Sequence, residues 1–429
     1  MLQCDHVFYV VAVFVCSFMH PALCPLPFRL HEYFCQKDDK LAKKLADAER
    51  FVSDMSQNLW LKGAGLQPNL SYTIQQTVRS TDMFQIITSD PQLYTACTDH
   101  NKMCHHVTKN CNRATERCTK WQGEVSNLMQ RRSIQTLIDA MESIGHKPKG
   151  IVINGDLTAY GHRREFEAYC TFWSSQINGV PVYPGLGNHD YQNNVNDCSF
   201  VPAWPFKVDN HCAERMMFYM LTFASKQKNA HIEAAAVNGR QTVTGSLSYS
   251  WDQCVGETCV HFVQLQNFPA YHADIESGGT TKTTWHIRDS YYWLQQDLMN
   301  TSYSIVINMH NWWFHQDFKD RFCDMIRDQV SGARILAIFV GHRHDWLAGG
   351  IGENCPGIKL YHSGAVPSNT YLMAQFRYKG GWRWKAKLHR VYVLHVRAWY
   401  THNQTDQYDR SQLPPVQVKT VVDQILDVS

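Results

Sequence analysis

Apolar and polar positions alternate in blocks along this chain, and four short apolar blocks end in the same way. Gly150-Ile151-Val152-Ile153-Asn154 runs into Gly155-Asp156, and Val180 to Tyr183 leads to Gly187-Asn188-His189-Asp190. Ser304 to Met309 runs into His310, and Ile335 to Val340 into Gly341-His342-Arg343-His344. Runs this short and β-branched, bounded by helix-like segments, predict strands buried on both faces. In an open α/β sheet ligands collect beyond the carboxyl ends of the strands, so the four polar segments are placed to converge.

The remaining pattern predicts what surrounds these strands. Val125, Leu128, Ile134, Leu137, Ile138, Met141 and Ile144 form an apolar stripe of helical period ahead of the Ile151 strand. Helices are also predicted over Arg163 to Trp173, Ala213 to about Lys228 and Trp285 to Met299. Ser246 to Trp251 and Val260 to Leu265 read as a hairpin whose tip is stapled by a Cys254–Cys259 disulfide. Lys359 to Ser363 and Arg390 to Val396 read as closing strands.

Asp oxygens, an Asn carbonyl and neutral imidazoles are the mixed ligand set that holds zinc, manganese or iron. One Asp can bridge two ions, and a pair of ions about 3.5–4 Å apart can activate a water and clamp a phosphoryl group during in-line displacement. Any one of these residues alone reads equally well as an ordinary cap on a strand end. Four such ends in series favour the metal.

In that order, each after a strand, Gly155-Asp156, Gly187-Asn188-His189-Asp190, His310 and Gly341-His342-Arg343-His344 resemble the signature of the calcineurin-like metallophosphoesterases. The resemblance spans roughly Phe84 to Phe376. It implies an αββα sandwich of two mixed β-sheets flanked by helices, with a dinuclear metal site at strand C-terminal ends. By the same resemblance Asp156 bridges the ions, Asn188, His310 and His342 complete one, and His344 helps to hold the other. His189 then faces the substrate as general acid or transition-state donor, oriented by Asp190. The family opens with Asp-x-His, whereas this chain has Asp90-Pro91-Gln92. An amide oxygen is a weaker ligand than imidazole, so Gln92 either binds the first ion or supports its ligands from behind. Purple acid phosphatases, which also lack that His, use a Tyr after the Gly-Asp to bind iron; Tyr160 offers this alternative.

Composition sets the compartment. With 429 residues, 44% of them apolar and 12% aromatic, the chain can bury a large core, and a net charge of +3 gives no sign of a nucleic-acid-binding domain or a polybasic membrane patch. Val7 to Met19 is an apolar stretch of signal-peptide length, so residues 1–24 are expected to be a signal peptide, with a buried N-terminal helix as the alternative. Twelve cysteines then remain, an even number suited to disulfides in an oxidising compartment. Sequons at Asn69, Asn300 and Asn403 agree. No later apolar run is long enough to be a transmembrane anchor in the mature chain, so a secreted protein, or one in the lumen of the secretory or lysosomal route, is expected.

The expected layout is a helical lead-in over 25–83, a phosphoesterase domain over 84–400 and a polar tail over 401–429. A Cys-rich insert covers 97–118, where Cys97, Cys104, Cys111 and Cys118 fall seven apart. On one helix such neighbours lie about 10.5 Å apart, too far for a disulfide, so they pair elsewhere or the segment folds back. A zinc knot on Cys104, His105 and His106 is the alternative.

Tyr160 and His162 are candidates to touch substrate, and of the adjacent Trp312 and Trp313 one is expected to line the pocket, because an extended segment cannot point both into one core. Trp312 is taken as that residue. The function expected is hydrolysis of a phosphate ester, leaning to a phosphodiester of lipid or nucleotide type, by hydroxide on two divalent or trivalent ions. The substrate is then a small molecule or a lipid headgroup. The alternatives are a phosphomonoesterase, and a secreted binding protein or toxin that keeps the fold without turnover.

Overall fold

The computed structural model describes residues 78–93, 113–173, 176–196, 198, 210–237, 240–277, 282–329, 335–344, 355, 358–368, 370–380, 384–394 and 417–421. The expected signal peptide, most of the lead-in, Asn69, Asn403, Cys97, Cys104, Cys111 and the proposed zinc knot lie outside them.

The chain builds one sheet, leaves it for a second, and returns. β1 (Asp82–Thr88), α1 (Arg113–Ser143), β2 (Gly150–Ile153), α2 (Arg163–Phe172), β3 (Gln176–Ile177) and β4 (Val180–Pro184) begin the first sheet. A short helix α3 (Asn188–Tyr191) and α4 (His211–Ala224) lead to the second, which holds β5 (Asn229–Val237), β6 (Arg240–Val255), β7 (Thr258–Gln264), β8 (Ala273–Ser277) and β9 (Thr283–Ile287). After α5 (Tyr291–Asn300) come β10 (Ser304–Met309), α6 (Gln316–Gln329), β11 (Ile335–Val340) and β12 (Leu360–His362) of the same sheet. β13 (Thr370–Tyr378), β14 (Trp384–Leu394) and β15 (Gln417–Val421) then close the first. Strand order is β15-β14-β13-β1-β2-β4-β3 in one sheet and β12-β11-β10-β7-β6-β9-β8 in the other, where β5 pairs with β6. Both sheets are mixed, parallel around β1-β2-β4, along β7-β10-β11-β12 and between β6 and β9, and antiparallel at the other pairings.

Residues of β1, β2, β10 and β11 are buried along their whole length, as strands covered on both faces must be. Between the sheets Trp251 stacks on Tyr183 at 4.2 Å and Phe262 meets Phe376 edge-on at 5.8 Å. Outside the first sheet, Leu128, Ile134, Leu137, Ile138 and Met141 of α1 join that core. Outside the second, Leu294 and Leu298 of α5 and Phe322 and Ile326 of α6 pack on Ile305, Ile307 and Ile338. The layers are therefore helix, sheet, sheet, helix. Fully burying each such side chain is worth roughly 1.5–3 kcal/mol, which makes the sheets a stiff base for the loops at their ends.

Cys254 and Cys259 are cross-strand partners and form the expected disulfide at the hairpin tip. Cys198–Cys212 and Cys323–Cys355 are also bridged. Among the described residues no helix is long and apolar enough to cross a membrane.

Three expectations are corrected. The stretch Trp285 to Met299 is not one helix: Thr283–Ile287 is a strand with alternate residues buried, and the helix begins at Tyr291. Trp285 and Ile287 enter the core at strand period, and the Asp289 carboxylate accepts from the Tyr291 backbone N–H where α5 starts. The helix predicted to run from Ala213 to Lys228 stops at Ala224, and β5 begins at Asn229. The tail, expected only to be polar, also contributes a strand: residues 417–421 add the outermost strand to β14.

One buried polar cluster ties β6, β7 and α5 together. His261 lies opposite Asp252 across the hairpin and bonds it through Nδ1 at 2.7 Å, while Nε2 meets Asp297 at 3.0 Å. Asp297 also accepts from Ser250 and Asn229. Burial would lower the imidazole pKa, but the two carboxylates push it up to about 9. The folded-state value exceeds the unfolded value of about 6.5, so this contribution is complete below about pH 6.5 and is lost as pH rises through about 9. Thermal unfolding of His261→Gln beside the parent is expected to show a marked deficit near pH 6 that shrinks toward about pH 10. A deficit independent of pH would contradict this account.

Candidate metal centre and active site

The carboxyl ends of β1, β2, β4, β10 and β11 meet at one edge of the two sheets, and each is followed by chemistry-bearing residues. Backbone hydrogen bonds stitch the turns together: Asp90 N–H donates to Gly155 O at 3.0 Å, Gln92 N–H to Asp156 O at 2.8 Å and Gly341 N–H to His310 O at 2.9 Å. The turns are tight enough to hold non-glycine residues in the left-handed region, with φ of 53° at Asp90, 36° at Gln92, 50° at Asp156 and 69° at His342. Such backbone costs on the order of 1–3 kcal/mol per residue and persists only where the surroundings enforce it. Gly155, with φ of +78°, adds a close approach: a Cβ there would lie 2.5 Å from the His310 ring. At Gly187 a Cβ would lie 2.2 Å from Asp156 Oδ1.

Electron-pair donors converge at this edge. His310 Nε2 is 2.8 Å from Asn188 Oδ1 and 3.2 Å from Asp156 Oδ2. His342 Nδ1 is 2.9 Å from the same Asn188 oxygen and 3.2 Å from His310 Nε2. His310 donates its Nδ1 proton to the Asn154 carbonyl at 2.9 Å, which fixes the tautomer and turns the Nε2 lone pair inward. Asp156, His310 and His342 could hold one metal ion. Beside them Asp90 is fully buried, its Oδ1 accepts no hydrogen bond, and His344 Nε2 stands 3.4 Å from it. Gln92 donates from its amide to Asp156 Oδ2 at 3.1 Å, so Asp156 stands between the two groups. Two imidazole nitrogens, an amide oxygen and a carboxylate oxygen are gathered at one point, and the buried Asp90 oxygen without a donor is costly as it stands. The donor set fits two cations.

Electrostatics agree. Burial would raise the Asp156 carboxyl, but His310, by charge and hydrogen bond, and His189 hold it below the usual carboxylate range. Burial would lower His310, and Asp156 and Asp90 push it up to about 9. His342, buried beside His310, is lowered. His344 is raised by its contact with Asp90. The site thus calls for positive charge even before any ion is present.

The expected residues Asp90, Gln92, Asp156, Asn188, His310, His342 and His344 are all brought together here. His189 lies alongside, half-buried, its backbone N–H donating to Asp156 Oδ1 at 2.9 Å. Its Nδ1 bonds the Ala159 carbonyl at 2.7 Å, and the Tyr160 ring meets it edge-on at 5.6 Å. Tyr160 also lies beside His162, which bonds buried Glu165. The second potential metal group, His162 with Cys198 and Cys212, has its two sulfurs joined in the disulfide.

Two assignments change. Asp190 does not orient the His189 ring; its carboxylate accepts from the backbone N–H of Leu157, Thr158 and Gly187 and from the Thr158 hydroxyl, at 2.9–3.0 Å. It braces the turn after β2 that carries Asp156. Its pKa is raised by burial and by Asp156, against the pull of the backbone donors. Trp312 does not line the pocket. It is 1% exposed in the outer core with Phe314 and Phe322, and Trp313 is the residue on the site side, its ring 6.0 Å from that of His342. Sequence reasoning also missed Asn154, whose side chain donates to Ser363 while its carbonyl orients His310. Its place at the end of the Ile151 strand was the available signal.

The description "Calcineurin-like phosphoesterase" matches residues 87–346, and the chain belongs to this family. No curated protein matches the chain in sequence. Among solved structures it is similar to a Staphylococcus aureus protein described as a 5'-nucleotidase, in complex with alpha-ketoglutarate, at 14% identity over 70% of this chain and 51% of that one, TM-score 0.36. It is also similar to a Haemophilus influenzae NAD nucleotidase, at 12% identity over 72% and 49%, TM-score 0.34. A third is the Thermus thermophilus protein TT1561, at 9% identity over 68% and 94%, TM-score 0.30. The chain spans about half the length of the two nucleotidases.

Replacing Asp190 by Asn would turn an amide N–H₂ toward backbone donors. Each lost charge-assisted bond is worth about 1.5–3 kcal/mol, so Asp190→Asn is expected to unfold several degrees lower in a thermal melt, with the pH profile of the remaining activity unchanged. A variant that melts like the parent but turns over nothing would restore the orienting role.

Proposed function

We propose that the chain hydrolyses a phosphodiester of lipid or nucleotide type at two metal ions, with water as nucleophile and no covalent enzyme intermediate. The observation that carries this is the convergence of Asp156, Asn188, His310 and His342 on one point, with Asp90 and His344 beside them. One ion would be held by Asn188, His310 and His342 and the other by Asp90 and His344, with Asp156 shared. Gln92, already against Asp156, supplies its amide oxygen to the second ion when the amide is turned end for end. Zinc, manganese and iron all suit this set. Bound there, such a pair acidifies a water and neutralises the phosphoryl oxygens.

The chain's own residues supply the rest. His189, with Nδ1 committed to Ala159, keeps Nε2 for the ester oxygen that leaves and delivers its proton there. That proton matters most for a poor alkoxide leaving group, which supports the diester reading. Tyr160 packs on the His189 ring and limits its rotation. The turn braced by Asp190 keeps Asp156 and the backbone of His189 in register.

Three disulfides among the described residues support an oxidising compartment, hence a secreted or lumenal protein. Asn300, exposed at the end of α5 within Asn300-Thr301-Ser302, is open to glycosylation.

Asn188→Ala and His310→Ala are expected to lose bound metal and activity together, whereas His189→Ala keeps its metal and loses about 10²–10⁴ in turnover. Metal content by mass spectrometry, beside hydrolysis of a bis-aryl phosphodiester and an aryl phosphomonoester with zinc, manganese or iron, measures both. Undiminished diester hydrolysis by His189→Ala would remove the acid role, and turnover of the monoester alone would make the protein a phosphomonoesterase.

A further inference from the structure

The turn that carries His342 and His344 also carries Arg343 between them. Arg343 is exposed, and its guanidinium carbon stands 4.4 Å from the Trp313 ring centroid. Trp313 stacks in turn on His362 at 5.3 Å, and His362 is 4% exposed, so the platform is anchored in the sheet. No carboxylate among the described residues pairs with Arg343, although the chain pairs Arg163, Arg288, Arg327 and Arg377 with acidic partners.

A guanidinium lying on an indole is held by its face while the N–H donors around its edge stay free. Preorganisation of this kind lowers the entropy cost of gripping an anion, and a planar fork of donors matches phosphate oxygens. The scissile phosphoryl group would already be served by the two ions of the proposed centre. A further fixed positive charge at the rim, one residue from each of two ligand histidines, is suited to a different anionic group on the same substrate.

Resting on the phosphoesterase reading above, we infer that Arg343, held on Trp313, receives a second phosphoryl group, so that the site prefers substrates bearing a phosphate beyond the one cleaved. Diphosphates and nucleotide diesters with an additional phosphate belong to this class.

The test compares pyrophosphate with orthophosphate binding to the manganese-loaded protein by titration calorimetry, in the parent, Arg343→Ala and Arg343→Lys. The parent is expected to bind pyrophosphate the more tightly. Arg343→Ala should weaken pyrophosphate about tenfold and orthophosphate much less, and Arg343→Lys, which keeps charge without the fork, should fall between. Equal weakening of both anions, or none, would overturn the inference.

In parallel, hydrolysis of the 4-nitrophenyl ester of thymidine 5'-phosphate with and without a 3'-phosphate reads the same preference in kcat/KM. The parent should favour the 3'-phosphorylated ester and Arg343→Ala should lose that preference; a preference that survives the substitution counts against Arg343. If neither ester is cleaved, the hydrolytic reading fails while the two anion titrations still decide the role of Arg343.

Discussion

Lone pairs aimed at one another are unstable without a cation between them, and the active edge of this protein is built around that fact. His310 Nε2, His342 Nδ1, Asn188 Oδ1 and Asp156 Oδ2, all atoms able to donate an electron pair to a metal, approach one another to about 3 Å. Their arrangement is imposed from outside. Asn154 fixes one imidazole, Asp190 braces the turn behind Asp156, and four residues are held in backbone conformations they would not choose. The stability to sustain this comes from the two sheets beneath, whose fully buried strands contribute far more than the strained turns cost.

The path of the chain explains how donors from distant sequence meet. The first sheet supplies Asp90, Asp156 and Asn188, the second supplies His310, His342 and His344, and the strands preceding them run so that their carboxyl ends share an edge. Because the chain returns to the first sheet after β12, the second is flanked in sequence by strands of the first, and neither half is complete alone. Ser363 and Gly364, on the returning segment, contact Asn154 and Ser89 and so close the back of the site.

Much of this was legible in the sequence, for a physical reason. A strand buried on both faces must be apolar, so its end is conspicuous, and a polar residue at that end has few roles other than the site. Hence the strands before Asp156, His310 and His342 could be read directly, and the polar residues at their ends do meet at one edge. What could not be read depended on direction. Trp312 and Trp313 differ only in the phase of an extended segment, and nothing in two adjacent indoles says which faces inward. Asp190 follows His189 in sequence, yet the short helix turns its carboxylate toward the backbone of a different turn. Thr283 to Ile287 is a strand because of its partners β6 and β8, which local composition does not announce. The strand in the polar tail likewise exists only because β14 offers an unpaired edge.

The Cys323–Cys355 bridge joins α6 to the isolated pairing at Cys355 across 32 positions, and the His342–His344 turn lies between them. The ion-binding turn is thus a segment of a covalent ring. Closing a ring of that size removes roughly 4 kcal/mol of freedom from the unfolded chain, and it does so whether or not an ion is bound. The two histidines are therefore tethered near the other donors from outside the donor set. That restraint adds to the pairing of β11 with β10 and β12 and to the hydrogen bonds of Gly341 and His342, which hold the start of the turn. A covalent restraint that touches no donor atom thus shares in gathering the donors.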